Sequence, residues 1–190
     1  MTRNFGLFLT SCLLLGGCAG GATRDTELAD GGAPSRRDAE LLMRHARAFA
    51  ENADYTRAEQ YLNLAVRSGW SETEVTPLLI DVCIKDQRYR AALQYAQEYL
   101  RRHPRAYRLR FVEATLLSAL GDVARAREAL EKVLAVSPTH ADAHYSLAVL
   151  LRDDLGNHLQ ADLHFRSYLQ LAPSGSHAEE AEQSLLEAMP

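Results

Sequence analysis

The sequence predicts an all-helical protein, a stack of antiparallel helix pairs. Three observations support this prediction: the composition, a repeat of about 34 residues, and prolines placed after the repeated helices. Alanine, leucine, arginine and glutamate dominate the 190 residues, and all four favour helices. Runs of valine, isoleucine and threonine, which would indicate strands, are scarce. The formal net charge of −4 gives no electrostatic sign of nucleic-acid binding.

The N-terminus has the pattern of an export signal. Arg3 supplies a short positive region, and an apolar stretch follows from Phe5 to Leu15. Two glycines then precede Cys18, as small residues do at a cleavage point. Because a membrane-spanning helix needs about 20 apolar residues, this stretch is too short to be one. Residues 1–17 are therefore predicted to be a signal peptide outside the fold.

The segment Leu15-Gly16-Gly17-Cys18 resembles the lipobox of bacterial lipoproteins. The resemblance implies that Cys18 becomes the first mature residue and carries two or three acyl chains, enough for stable membrane attachment. Cys12 also fits the pattern, but the apolar stretch before it is only Phe5 to Leu9. The remaining alternative is an ordinary cleaved signal peptide with an incidental cysteine.

The residues after Cys18 predict a tether and a location. Residues 18–37 are rich in Gly and Ala and hold hardly any large apolar side chain, so we expect a lipidated, flexible tether. Ala and Gly, not Asp, follow the cysteine. In lipoproteins of bacteria with two membranes, this implies sorting to the outer membrane. We therefore expect a lipid-anchored protein of the cell envelope that faces the periplasm.

The rest of the chain, residues 38–190, repeats a short turn motif. The motif begins at Ala53 and recurs after 34, 34 and 35 residues, at Gln87, Gly121 and Gly156. Each copy ends in an alanine: Ala58, Ala92, Ala126 and Ala161. The period and the pattern resemble the tetratricopeptide repeat family, in which each repeat is a pair of antiparallel helices.

This resemblance implies four repeats and a capping helix. The repeats span 39–72, 73–106, 107–140 and 141–175, and the capping helix spans 176–189. Proline, which cannot continue a helix, ends three of them at Pro104, Pro138 and Pro173. Two starts are open for the first helix of the second repeat: a capping box at Ser71, or Thr76 as N-cap with Pro77 in the first helical position. We favour the later start.

The histidines and the body cysteine do not form a recognisable catalytic or metal motif. His140 and His144 are four residues apart, but no acidic residue completes a site, so we expect structural or exposed histidines there. His158 and His164 are interpreted in the same way. Cys83 replaces a large apolar residue of the family pattern, so we expect a buried, inert thiol. We predict a protein that is not an enzyme, with no cofactor, metal or small-molecule substrate.

The densest basic stretch is Arg101-Arg102-His103-Pro104-Arg105, continued by Arg108 and Arg110. Such a stretch suits an anionic partner or a lipid headgroup. It lacks the interleaved aromatic residues that stack nucleic-acid bases. We interpret it as a solvated turn whose charges are balanced by neighbours.

The family resemblance also implies a concave groove, lined by the first helix of each repeat. The residues at its lining positions are Met43, Arg47, Asp81, Ile84, Arg108, Phe111, Thr115, Tyr145, Val149 and Arg152. This mixture of aromatic, aliphatic and arginine side chains suits the capture of a peptide. The lysine- and asparagine-based clamp of chaperone-binding members is not visible, so capture of a terminal carboxylate is not predicted.

The anchor and the repeats together predict a scaffold in the bacterial envelope. The combination resembles the repeat-containing lipoproteins of type IV pilus biogenesis and gliding motility, which implies help in assembling a secretin or a motility machine. The alternative is an accessory subunit that binds cell-wall glycan or a wall-synthesis enzyme. We expect a protein or peptide partner in the envelope, contact with the membrane through the lipid, and no nucleic acid.

Overall fold

The computed structural model describes residues 36–186. Within that range every regular element is a helix. The predicted signal peptide, Cys12 and the lipidation site Cys18 lie outside the described residues. The first helix begins at Arg36, so the last two residues of the predicted tether are helical; Asp38 in the first turn favours this start because its charge complements the helix dipole.

Eight of the helices form four consecutive pairs. The first pair is α1 (Arg36–Glu51) with α2 (Tyr55–Arg67), and the second is α3 (Glu72–Lys85) with α4 (Tyr89–Arg102). The third is α5 (Tyr107–Ala119) with α6 (Val123–Val136), and the fourth is α7 (Ala141–Asp153) with α8 (His158–Leu171). The short α9 (Ala178–Gln183) packs on α8. The predicted solenoid of helical hairpins is confirmed.

The turn inside each pair contains a residue in the left-handed backbone conformation. One residue of each turn adopts a positive φ: Ala53 (58°), Gln87 (58°), Gly121 (76°) and Gly156 (61°). These are the four positions where the sequence motif begins, so the sequence period marks the left-handed residue that ends the first helix of every pair. Glycine adopts this conformation without strain, but it occupies this turn position only in the third and fourth pairs.

The second helix of three pairs has a side-chain cap. Asp54, Asp122 and Asn157 each accept a hydrogen bond from the backbone N–H three residues later. The cap satisfies an N–H group that has no partner within the helix. Arg88 holds the equivalent position in the second pair and supplies no cap.

The start of α3 differs from our prediction. The helix begins at Glu72 with Ser71 as N-cap, so Pro77 lies inside it and the predicted start at Thr76 is wrong. Ser71 makes no side-chain cap hydrogen bond, but its carbonyl accepts from the N–H of Val75 at 3.1 Å. Val75 is fully buried and Thr76 is 4% exposed. Burial of this first turn against the neighbouring helices offsets the hydrogen bond that Pro77 cannot make.

The core is a series of clusters along the stack, because each pair buries one face against the next. The four motif alanines are at most 2% exposed, which lets neighbouring helices approach closely. Cys83 is fully buried in the middle cluster, as expected, and burial raises the pKa of its thiol to about 11. None of the helices within residues 36–186 is long and apolar enough to cross a membrane.

Candidate functional site

The ten residues predicted to line a groove lie on the first helices of the pairs. Met43 on α1 is 2% exposed and packs in the core, so it offers a partner almost no surface. The other nine all have accessible surface. Four of them are exposed: Arg47, Asp81, Arg108 and Thr115. Five are half-buried: Ile84, Phe111, Tyr145, Val149 and Arg152.

One cavity, of about 360 Å³, lies between α5 and α7. Its walls include three of the predicted residues, Thr115, Tyr145 and Val149. Small side chains such as Ala114 and Ser118 leave the space open between the two helices. The structure thus brings part of the predicted set together, on the face formed by the first helices.

The C-terminal segment contacts two of the predicted residues, Tyr145 in the wall of this cavity and Arg152. The Tyr145 ring stacks on His177 with 4.0 Å between ring centroids, and its hydroxyl donates a hydrogen bond to Glu180. Arg152 also donates to Glu180, at 3.2 Å, and to the hydroxyl of Ser184. Tyr145 and Arg152 are therefore engaged by the chain's own α9 region, and a partner must displace that region to reach them.

These contacts favour neutral Tyr145 and ionised Glu180 near neutral pH. Burial, assisted by the hydrogen bond to Glu180, raises the pKa of Tyr145 to about 12. The hydrogen bond from Tyr145 and the interaction with Arg152 lower the pKa of the Glu180 carboxyl. Glu180 is thus held as an acceptor for both side chains.

A larger cavity, of about 540 Å³, lies between α3 and α5. Its lining is mostly apolar or aromatic and includes Pro77, Tyr99, Tyr107, Leu109 and Val112. Of the ten predicted residues, it contains only Arg108. Sequence reasoning missed this cavity because its walls come from two repeats. Tyr107, which lies between Arg105 and Arg108, was the one local signal, and our description of the basic stretch as lacking interleaved aromatic residues overlooked it.

The basic stretch is balanced only in part. Arg101 pairs with Glu98, and Arg102 donates to Glu72 at 2.7 Å. Arg110 pairs with the buried Glu113 at 3.3 Å. Arg105 and Arg108, by contrast, make no ion pair with any residue that the structure describes. Three arginines of the stretch therefore have the balanced neighbours that we expected, and two do not.

The histidines have structural roles that the spacing did not reveal. His140 caps α7, since its Nδ1 accepts the N–H of Ala143 at 3.2 Å. His144 and His164 meet across α7 and α8 with 2.9 Å between their Nδ1 atoms, a contact that sequence reasoning missed. Burial and the neighbouring His144 lower the pKa of His164. From residue 36 to 186, no cluster of three or more metal-ligating side chains is found.

Comparisons with known proteins agree with this geometry. Residues 111–176 match the family model of the tetratricopeptide repeat. No curated protein sequence matches the chain.

Solved structures share the fold at low sequence identity. A crystal structure of MamA superposes with a TM-score of 0.68 at 16% identity, covering 77% of this chain and 78% of that one. YrrB, described as a TPR protein with an unusual peptide-binding site, gives 0.64 at 21% identity, covering 76% and 74%. A tetratricopeptide repeat protein from Parabacteroides merdae ATCC 43184 gives 0.70 at 20% identity, covering 78% and 59%.

At these identities the similarity to solved structures shows the fold alone. The family match, residues 111–176, covers most of the two C-terminal helix pairs. The part of the chain that the structure describes is thus a solenoid of the tetratricopeptide repeat type, with recognisable family sequence in residues 111–176.

Proposed function

We propose that the chain is a membrane-anchored scaffold that binds protein segments and helps to assemble a complex of the bacterial cell envelope. The observation that carries the proposal is the face of the first helices, where two cavities lie between neighbouring repeats. Concave, mostly apolar surfaces with a few polar groups are typical of binding sites. That YrrB has a peptide-binding site on a similar fold supports a peptide as the bound species here.

The anchor is the second part of the proposal. Lipid on Cys18 holds the helical stack at the membrane through residues 19–35, on the periplasmic side of the outer membrane. Confinement raises the effective concentration of the scaffold near its membrane partner, so a modest affinity is sufficient. The proposed complex belongs to type IV pilus or gliding machinery. The role is binding rather than catalysis, and the comparisons indicate no enzyme family.

Metabolic labelling with an alkyne-bearing palmitate analogue tests the anchor. We expect the wild-type chain to incorporate the label and to fractionate with the outer membrane. Cys18→Ala should lose both the label and the membrane association. Cys12→Ala is the matched control and should retain both, because residue 12 is removed with the signal peptide. Label on the Cys18→Ala protein would place the lipid elsewhere.

In-cell crosslinking followed by affinity purification tests the scaffold. We expect an outer-membrane secretin or a motility protein to be captured by the wild type and lost from Cys18→Ala. Capture of wall-synthesis enzymes or glycan fragments would replace this assignment with the accessory cell-wall role. An abundance check on Cys18→Ala separates loss of the partner from loss of the protein.

A further inference from the structure

We propose that the cavity between α3 and α5 binds an acidic peptide segment, whose apolar side chain fills the cavity while its carboxylates pair with Arg105 and Arg108. This inference rests on the proposed function, because it assumes that the repeats bind a protein partner. It adds the location of the site and the chemistry of the segment that the site selects.

The walls of the cavity provide the apolar half of the site. Pro77 and Thr76 contribute from α3, and Leu109 and Val112 contribute from α5. The volume of about 540 Å³ falls within the range of roughly 300–1,000 Å³ that is usual for ligand pockets. A leucine- or phenylalanine-sized side chain therefore has room to be removed from water there.

Tyr99 fixes the inner wall of the cavity. Its ring stacks on His103 with 4.2 Å between centroids, and its hydroxyl donates a hydrogen bond to Oγ1 of Thr73 at 3.3 Å. The hydrogen bond ties α4 to the start of α3, and the stacking holds the ring against the C-terminal end of α4. A preformed wall reduces the entropy that a bound peptide has to lose on binding.

Two unpaired arginines provide the charged half of the site. Arg105 and Arg108 are exposed members of the cavity lining, and neither makes an ion pair within residues 36–186. The carboxylates of Glu72 at the start of α3 and of Glu113 on α5 are already engaged, because Glu72 pairs with Arg102 and Glu113 pairs with Arg110. Positive charge at the cavity is therefore left for an external carboxylate.

The start of α5 adds to this positive potential. The helix begins at Tyr107, and its N-cap residue, Ala106, has no side chain able to accept a hydrogen bond. The partial positive charge of the helix N-terminus is thus not neutralised by a cap. It acts in the same direction as the two arginines.

A peptide fits these observations better than a membrane surface. Recognition of anionic lipids generally uses clusters of about 4–8 basic residues, whereas only two arginines of this stretch are unpaired. A flat bilayer also has no single apolar group to place in a concave cavity. Carboxylates of a peptide, one or two residues from an apolar side chain, match both halves of the site.

Selection from a phage-displayed library of random twelve-residue peptides, with the full chain as bait, tests the proposal. We expect the enriched peptides to carry Asp or Glu within two positions of a large apolar residue. The double variant Arg105→Glu/Arg108→Glu should bind them at least about tenfold more weakly. Arg44→Glu/Arg90→Glu, which makes the same charge change at two other exposed, unpaired arginines, should bind like the wild type.

Two further variants separate the two halves of the site. Thr73→Trp places a large ring at the exposed rim of the cavity and removes the acceptor that holds Tyr99, so it should reduce binding of the same peptides while both arginines remain. Arg105→Lys/Arg108→Lys keeps the charge and should restore most of the affinity that the glutamate variant loses. Circular dichroism of each variant confirms that the helices are intact.

Several outcomes would overturn the inference. The selection could enrich no peptides, or peptides without acidic residues. Arg105→Glu/Arg108→Glu could bind the selected peptides as tightly as the wild type. The two arginines could bind anionic phosphatidylglycerol vesicles instead of peptide. The proposed function is judged separately, by in-cell crosslinking. If Arg105→Glu/Arg108→Glu still captures the cellular partner, the peptide site is contradicted but the scaffold function is not. If the library yields the expected peptides but no partner is captured in cells, the scaffold function is contradicted but the peptide site is not.

Discussion

The two N-terminal helix pairs and the two C-terminal pairs have the same architecture, but they specify it differently. In the C-terminal half, Gly121 and Gly156 occupy the left-handed turn positions, and Asp122 and Asn157 cap the helices that follow. Local sequence and fold agree there, and residues 111–176 are the part that the family model matches. The N-terminal half forms its turns with non-glycine residues, has no side-chain cap on α3 or α4, and has a proline inside α3.

Contacts between repeats compensate in the N-terminal half. The hydroxyl of Tyr95 on α4 donates a hydrogen bond to Glu59 on α2 at 2.7 Å and accepts one from Asn63 at 3.0 Å. Arg88, which does not cap α4, pairs with the same Glu59 at 2.7 Å. Partly buried polar bonds of this kind are specific to one geometry. A repeat with weak local signals can therefore be held in register by its neighbour.

The largest expected effect concerns the core of the C-terminal half. Phe165 is fully buried on α8 and touches the ring of Tyr145 and the guanidinium of Arg152. Phe165→Ala should reduce the free energy of unfolding by about 3–5 kcal/mol, measured by urea denaturation. Leu163→Ala, on the exposed side of the same helix, should change it by less than about 0.5 kcal/mol. Similar losses for both variants would contradict the packing described for α8.

The polar bridge between α2 and α4 should give the next largest effect. Tyr95→Phe removes the hydroxyl from Glu59 and Asn63 and should cost about 1–2 kcal/mol, because both groups are partly buried. Tyr89→Phe on the exposed side of α4 is the matched control and should cost almost nothing. No loss with Tyr95→Phe would mean that the N-terminal half does not depend on this bridge.

Exchanging the turn residues of the two halves should produce opposite effects. A Cβ added at Gly121 meets nothing within 4 Å, so Gly121→Ala probes the backbone alone and should cost about 1 kcal/mol. Ala53→Gly removes the corresponding strain and should stabilise the protein by roughly 0.5–1 kcal/mol. Thermal melting of both variants gives the comparison. Destabilisation by Ala53→Gly would show that the left-handed turn is not strained there.

The smallest effect should be a local destabilisation of the α9 region at acidic pH. Because the folded-state pKa of Glu180 lies below its ordinary value of 4.5, ionised Glu180 stabilises the folded state above that pH. This contribution is lost as the pH falls through the lower folded-state pKa. Hydrogen exchange at Ala181 should therefore speed up below about pH 4.5, relative to the exchange at the core of α6. Glu180→Gln should remove this pH dependence, and an unchanged dependence would assign the effect to another group.

The fold was accessible from the sequence because its period has a local cause. The positions of Ala53, Gln87, Gly121 and Gly156 all mark one left-handed turn, and the alanine after each allows close helix packing. For α3 the sequence left two starts open and we favoured the wrong one, because Pro77 favours the later start whereas burial of Val75 by neighbouring helices favours the earlier one.

The candidate site was accessible only in outline. The helical register placed all ten predicted residues on the first helices, but it did not show that the α9 region engages Tyr145 and Arg152. Likewise, Arg102 pairs with Glu72, thirty residues away in the chain, whereas Arg105 and Arg108 make no ion pair with any residue from 36 to 186. Pairings between repeats depend on side-chain geometry that a single sequence does not contain.

Site-specific photo-crosslinking in cells tests the central claim most directly, that partners bind the face of the first helices. A photoreactive amino acid replaces exposed Thr115 on α5 in one strain and Leu163, which is 64% exposed on α8, in another. We expect the photoreactive residue at position 115 to crosslink a discrete envelope protein and the one at position 163 not to. Crosslinking of that protein from the Leu163 position alone would contradict it, because the partner would then bind the second helices.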